Sequence, residues 1–384
     1  MRRASVLVIA IATLALAGCG GSSNSGSSTS TSTPAASTGS SAATASQAAF
    51  IAPLKTVKTV TSTVPANGDI NPYGIVVVPS SVGKLVAGQL LVSNFNDKAN
   101  AQGTGTTIDQ ISTAGKSSLF AKIDPKTLPG SCPGGVGLTT ALSVLPGGYV
   151  VVGSLPTTNG KSATAKLGCL IVLDSNGRPV STIAGSQIQG PWDMTSVSHG
   201  ATTTLFVSMV LNGGAKKGVH KDKNSTVLRI RLHSGPGQPP KVLSEQVIAN
   251  KIPWIDSPEA LVIGPTGVAL ASNGTLYLAD TLENRITAIP QAMTRTTPVN
   301  AGGAVVSQGG HLKQPLGLVM TPSGNILTTN AGDGNMIETT PAGKQVVVRT
   351  ADTKTGEGSL FGLVVKGNGV YYVDDGENTL RLLH

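Results

Sequence analysis

Gly264-Pro265-Thr266-Gly267-Val268-Ala269-Leu270-Ala271-Ser272-Asn273-Gly274-Thr275-Leu276-Tyr277-Leu278-Ala279-Asp280, running through Thr281 to Asn284 into Arg285-Ile286-Thr287-Ala288-Ile289, is the stretch on which the fold turns. Two aliphatic runs flank Asn273-Gly274. Both central residues of a type I′ hairpin turn need positive φ, which Asn and Gly adopt at little cost, so the pair joins two antiparallel strands. A third strand follows the polar corner at Thr281 to Asn284. The segment is therefore three short strands in succession.

Working outward, the same pattern recurs in weaker form. Pro72-Tyr73-Gly74-Ile75 leads to Leu90-Leu91-Val92-Ser93, and Ala141-Leu142-Ser143 turns through Gly147-Gly148 into Val150-Val151-Val152. Trp192-Asp193-Met194 leads to Leu205-Phe206-Val207, Pro315-Leu316-Gly317-Leu318 to Ile326-Leu327, and Phe361-Gly362-Leu363 to Val370-Tyr371-Tyr372-Val373-Asp374. Each is followed by a third strand, expected in the third copy over residues 227–232. With Gly74, Ala141, Asp193, Gly267, Gly317 and Gly362 as equivalent positions, the spacing tightens to roughly 45 residues at the end, within the range for propeller blades. The pattern of proline, glycine, aliphatic strand, Asn-Gly, aliphatic strand, Asp and Asn-Arg-Ile resembles the NHL repeat. That resemblance implies an all-β fold, a six-bladed NHL-type β-propeller, with a β-sandwich of similar strands as the competing arrangement. The last blade has only three strands before the sequence ends. Residues 55–64, which alternate Val and Thr, are expected to supply its outer strand and close the ring.

Composition agrees with short strands and tight turns: 12% charged, 3% aromatic, 48 glycines and a net charge of +9. A positive surface favours anionic neighbours. No nucleic-acid recognition motif is present, so nucleic acid is not expected as a partner.

The N-terminus defines an address. Arg2 and Arg3 precede an apolar run from Val6 to Leu16, then Ala17, Gly18 and Cys19. The run falls short of the roughly 20 apolar residues needed to span a bilayer, as in a cleaved export signal. Leu16-Ala17-Gly18-Cys19 resembles the lipobox of bacterial lipoproteins, which implies lipidation of Cys19 and removal of residues 1–18. The expected location is then the bacterial cell envelope, lipid-anchored and facing away from the cytoplasm, at the outer membrane if the source is Gram-negative. Residues 19–48 carry the lipid and a Ser/Thr/Gly linker reaching on the order of 30 Å, and residues 49–384 form the propeller. Cys132 and Cys169 remain, a disulfide in an exported protein or two free thiols.

Function is expected in the long loops at residues 94–106, 154–166 and 210–224, all on one face. In the last of these, Lys216, Lys217, Lys221 and Lys223 form a basic, glycine-rich loop, either a site for an anionic group or a solvated mobile segment. Asp280, Arg285 and Asp374 occupy positions that the NHL resemblance implies are structural. Asn94, Asn330 and Asp333 end second strands, where amides and carboxylates also cap turns. Among propeller enzymes, lactonases resembling gluconolactonase hold a divalent cation with an inner-strand Glu plus Asn and Asp. Here Glu259 is the single glutamate near an inner strand, and Asp193 begins one. Propeller lyases rely on histidines or zinc, and His199, His220, His233, His311 and His384 show no ligand spacing. No catalytic motif, cofactor or metal site is predicted. The expectation is a membrane-tethered scaffold that binds a protein, glycan or small ligand, with a metal-dependent hydrolase as the alternative.

Overall fold

The computed structural model describes residues 48–215, 218–234, 237–356 and 358–384. Cys19, its lipobox and linker, and Lys216 and Lys217 lie outside them. The chain is a six-bladed β-propeller. The innermost strands are Ile70–Val77, Leu138–Val144, Pro191–His199, Pro265–Leu270, Pro315–Met320 and Leu360–Lys366, and they surround a central channel. Side chains on the faces of each blade pack against the next. Leu205 and Val207 of the third blade share an apolar cluster with Val151, Leu170 and Val172 of the second.

Glycine recurs at the equivalent positions because the inner strands crowd together. A Cβ at Gly317 would lie 2.3 Å from the Phe361 carbonyl oxygen, and one at Gly362 would lie 2.5 Å from that of Tyr73. Near its start each inner strand is bulged against its neighbour, which leaves an N–H unpaired by the ladder. Hydroxyls on the second strand accept several of these. Gly74 N–H donates to Ser93 Oγ at 3.1 Å, and Gly317 N–H to Thr329 Oγ1 at 2.9 Å. The same hydroxyls donate onward to the next blade, Ser93 to the Thr139 carbonyl at 2.9 Å and Thr329 to the Phe361 carbonyl at 2.8 Å. The blade-to-blade joint is therefore stitched by Ser and Thr as well as by apolar contact.

Residues 55–64 close the ring as expected. Strand Val57–Ser62 pairs with Thr379–Leu383 as the outer strand of the sixth blade. Lys55 and Thr56 N–H both donate to the His384 carbonyl, at 3.1 and 2.9 Å.

The third blade departs from expectation. Its third strand is Lys221–His233, beginning six residues before the aliphatic run at 227, and its fourth is the long Lys241–Ser257. The two extend together beyond the rim, with Lys221 opposite Ile255 and Asp222 opposite Trp254. A short strand, Leu261–Ile263, folds back on this extension. The aliphatic run marked only the part buried between blades. The extension is held by Trp254, whose Nε1 donates to Asn224 Oδ1 at 2.7 Å.

Candidate functional site

The strands of each blade alternate in direction, so connections emerge at two faces. Loops from second to third strands, and from each blade to the next, lie at the upper face. The three long loops meet there. Thr157 Oγ1 donates to the Gln102 carbonyl at 2.6 Å, joining the first to the second, and Ala215 N–H donates to the Ala165 carbonyl at 3.4 Å, joining the second to the third. The turn between Ser257 and Leu261 crosses above the channel. Gln102 Nε2 pins it with a bond to the Pro258 carbonyl at 2.8 Å. Within the turn Ser257 Oγ accepts from the N–H groups of Glu259 and Ala260 and donates to Glu259 Oε2 at 3.0 Å.

Under this roof lies a cavity of about 510 Å³. Its floor is aromatic and aliphatic: Tyr73, Trp192, Leu316 and Phe361. Tyr73 stacks on Phe361 at 4.0 Å and on Phe95 at 4.5 Å, and meets the edge of Trp192 at 5.9 Å. These rings hold one another in place and close the upper end of the channel. Glu259, Gln314 and Thr281 supply polar groups at the wall and roof. Burial, reinforced by the negative charge of Asp375, pushes the Tyr73 phenol well above its ordinary pKa, so it is a neutral hydroxyl. Asp375, half-buried on the same face, is itself pushed up to about 7 by burial and by Asp374.

The sequence reading missed this floor, yet carried a signal for it. Each floor residue immediately precedes an equivalent repeat position, Tyr73 before Gly74, Trp192 before Asp193, Leu316 before Gly317 and Phe361 before Gly362. Large apolar groups at one height around the axis, in a chain with 3% aromatics, are a plug.

The other singled-out residues fall elsewhere. Lys221 and Lys223 are exposed on the extended strand, not in a mobile loop, because pairing with Lys241–Ser257 fixes that backbone. Lys216 and Lys217 lie outside the described residues. Asn94 is buried, with Nδ2 shared among the Thr63 carbonyl, Thr107 Oγ1 and Asp109 Oδ2. Asp333 Oδ1 accepts from Asn330 Nδ2 at 3.0 Å and Asn335 N–H at 3.1 Å, capping a turn. Asp280 is locked to Arg285 at 2.7 Å, and Asp374 to Arg381 at 3.0 Å. Both brace blade corners. Cys132 and Cys169 are bonded, joining the loop between the first two blades to the third strand of the second. Of the histidines, His220 meets Asp256 at 2.8 Å on the upper rim.

A hard divalent cation needs several oxygen ligands converging on one point. Glu259 sits on the roof turn, not on an inner strand. Asp193 lines a second cavity of about 220 Å³ in the lower channel, beyond the aromatic floor. The two open into different spaces. Among the described residues no three His, Cys, Asp or Glu side chains are grouped to hold a metal ion. The residues at the upper ends of the inner strands do not fit a lactonase-type metal.

No family model matches the chain, and no curated protein sequence matches it. Solved structures do resemble it. A calcium-binding protein, regucalcin, from Agrobacterium tumefaciens is 13% identical, with a TM-score of 0.51 over 85% of this chain and 93% of that one. A gluconolactonase from Xanthomonas campestris is 12% identical, with a TM-score of 0.50 over 85% of this chain and 88% of that one. At such identities the likeness is one of fold.

Proposed function

We propose that the chain is an exported lipoprotein, tethered through Cys19, whose NHL-type propeller binds a small uncharged ligand with a flat or ring-shaped apolar face. The observation that carries the reading is the roofed upper cavity, with rigid rings below and a few polar groups around it. Its volume is in the range of small-molecule sites. Aromatic floors suit sugars and aromatic compounds alike, because a ring face buries area without needing charge. The regucalcin and gluconolactonase neighbours lend a metal-dependent hydrolase as the alternative, and the residues of this cavity speak against it.

Trp192 makes the site testable. Replacing Trp254 by Phe leaves Trp192 as the single tryptophan. Titration with monosaccharides, their lactones and aromatic glycosides should give a saturable emission change for a true ligand. The change should vanish in a protein that also carries Phe361→Ala and should survive Asp193→Asn in the lower channel. Binding that ignores Phe361→Ala would move the site elsewhere. Lactone hydrolysis lost on Glu259→Ala, with stoichiometric Ca²⁺ or Zn²⁺ in the purified protein, would replace binding by catalysis.

A further inference from the structure

We propose that the lower face of the propeller is a docking surface for an anionic phospholipid bilayer. This face is built from the turns between first and second and between third and fourth strands. Its acidic content is small. Apart from the chain terminus at His384, those turns hold one acidic residue, Asp174, whose Oδ1 accepts the Asn176 and Arg178 N–H groups at 2.9 Å each. The carboxylates next to these turns along the strands are Asp109, Glu245 and Glu338, of which Asp109 and Glu338 are buried, and Asp193 lies inside the lower channel.

Basic residues, by contrast, recur from the fifth blade round to the second: Lys344, Lys55, Lys366, Lys116, Lys84 and Arg178. None of them forms an ion pair among the described residues, where every such pair belongs to the upper end of the blades. They form one arc. Lys366 approaches Gly88, in the same turn as Lys84, and Lys84 N–H donates to the Ser175 carbonyl of the turn that carries Arg178, at 2.8 Å. Gly115, beside Lys116, lies against Val60 of the closing strand.

Two further observations favour a lipid surface over a soluble polyanion. Val82 and Val86 flank Lys84 on the turn between the first two strands of the first blade and are 37% and 43% exposed. Apolar side chains beside lysines suit the boundary between headgroups and acyl chains. The closing strand also starts at this face, where Lys55 and Thr56 N–H bond to the His384 carbonyl. The tether proposed through Cys19 precedes that strand in the chain and would hold the face close enough to a bilayer for a weak attraction to act. Docking would turn the upper cavity outward. That orientation rests on the proposed tether, whereas the charge and apolar content of the surface do not.

The test is amine labelling of the full-length protein, purified from membranes and reconstituted into vesicles of phosphatidylcholine alone or of equal parts phosphatidylcholine and phosphatidylglycerol. Lys84, Lys116, Lys344 and Lys366 should be labelled at least about threefold more slowly on the anionic vesicles at low salt, and at equal rates in 1 M salt. Lys98, Lys161 and Lys313 on the upper face should not respond. Val82→Ser with Val86→Ser should reduce the protection. Equal labelling of the lower lysines on both vesicles overturns the proposal, as does protection by soluble dextran sulfate without protection by the anionic vesicles. The mass of the N-terminal peptide reports lipidation of Cys19 separately. If Cys19 is unmodified, the same labelling on protein added from solution still decides the surface.

Discussion

Asp193 shows how one side chain takes its chemistry from its place in the fold. It begins an inner strand, and its carboxyl lines the lower channel, where burial pushes its pKa up to about 7 despite the N–H of Met194 at 2.8 Å. An unfolded aspartate releases its proton near pH 4. Between about pH 4 and 7 the folded state therefore holds more protons than the unfolded one, so stability falls as pH rises through that window and levels off above it. Asp193→Asn, neutral throughout, should show a shallower fall in Tm from pH 5 to pH 8. Asp109 and Asp375, each also raised to about 7 with burial as the largest cause, keep the fall from vanishing. Parallel Tm profiles for the two proteins would mean that the Asp193 carboxylate is solvated. In the sequence Asp193 was one more repeat position. Its neighbours across the channel come from all six blades, and no local pattern names them.

The closing strand is the element on which the ring depends, and a single carboxylate seats the segment before it. Glu338, fully buried in the fifth blade, accepts from Phe50 N–H at 2.9 Å, Ile51 N–H at 2.8 Å and Asn325 Nδ2 at 2.8 Å. Ile51 and Leu54 then pack with Leu327, Met336 and Tyr372 between the last two blades. Glu338→Ala leaves those donors without their acceptor and should cost about 3 kcal/mol or more in urea denaturation. Removing the whole segment through Val64 should cost more still, because it also frees the edge of Thr379–Leu383. A change below about 0.5 kcal/mol for Glu338→Ala would show that the strand closes the ring without this latch. The strand itself was legible from its Val/Thr alternation and from the missing fourth strand of the last blade. Glu338 was not, since it lies 288 residues along the chain from Phe50, which it holds. The extension of the third blade escaped for a related reason. Lys221–Asn224 and Pro253–Ser257 are polar or carry proline, and they become strands because they pair with each other.

At the scale of the whole molecule, the disulfide and the two faces carry the remaining consequences. Cys132 and Cys169 stand 37 residues apart and tie an inter-blade loop to the second blade. Loop closure on that scale contributes roughly 2 to 4 kcal/mol, so the paired change Cys132→Ser and Cys169→Ser should lower the urea midpoint accordingly. An unchanged midpoint would show that the bond constrains nothing the fold does not already hold. The sequence by itself determined the blade count, the short strands, the glycine at four of the six axial crossings and the strand that closes the ring. Those follow from local rules: turn chemistry, alternation of apolar residues, and a repeat that must bury its faces against copies of itself. Only the tertiary structure decided that Tyr73, Trp192, Leu316 and Phe361 meet as one floor, that the turn after Ser257 roofs them, and that the lower turns are almost free of carboxylates. Each of those rests on residues from separate blades arriving at the same height around one axis. That height is set by the close packing of the inner strands.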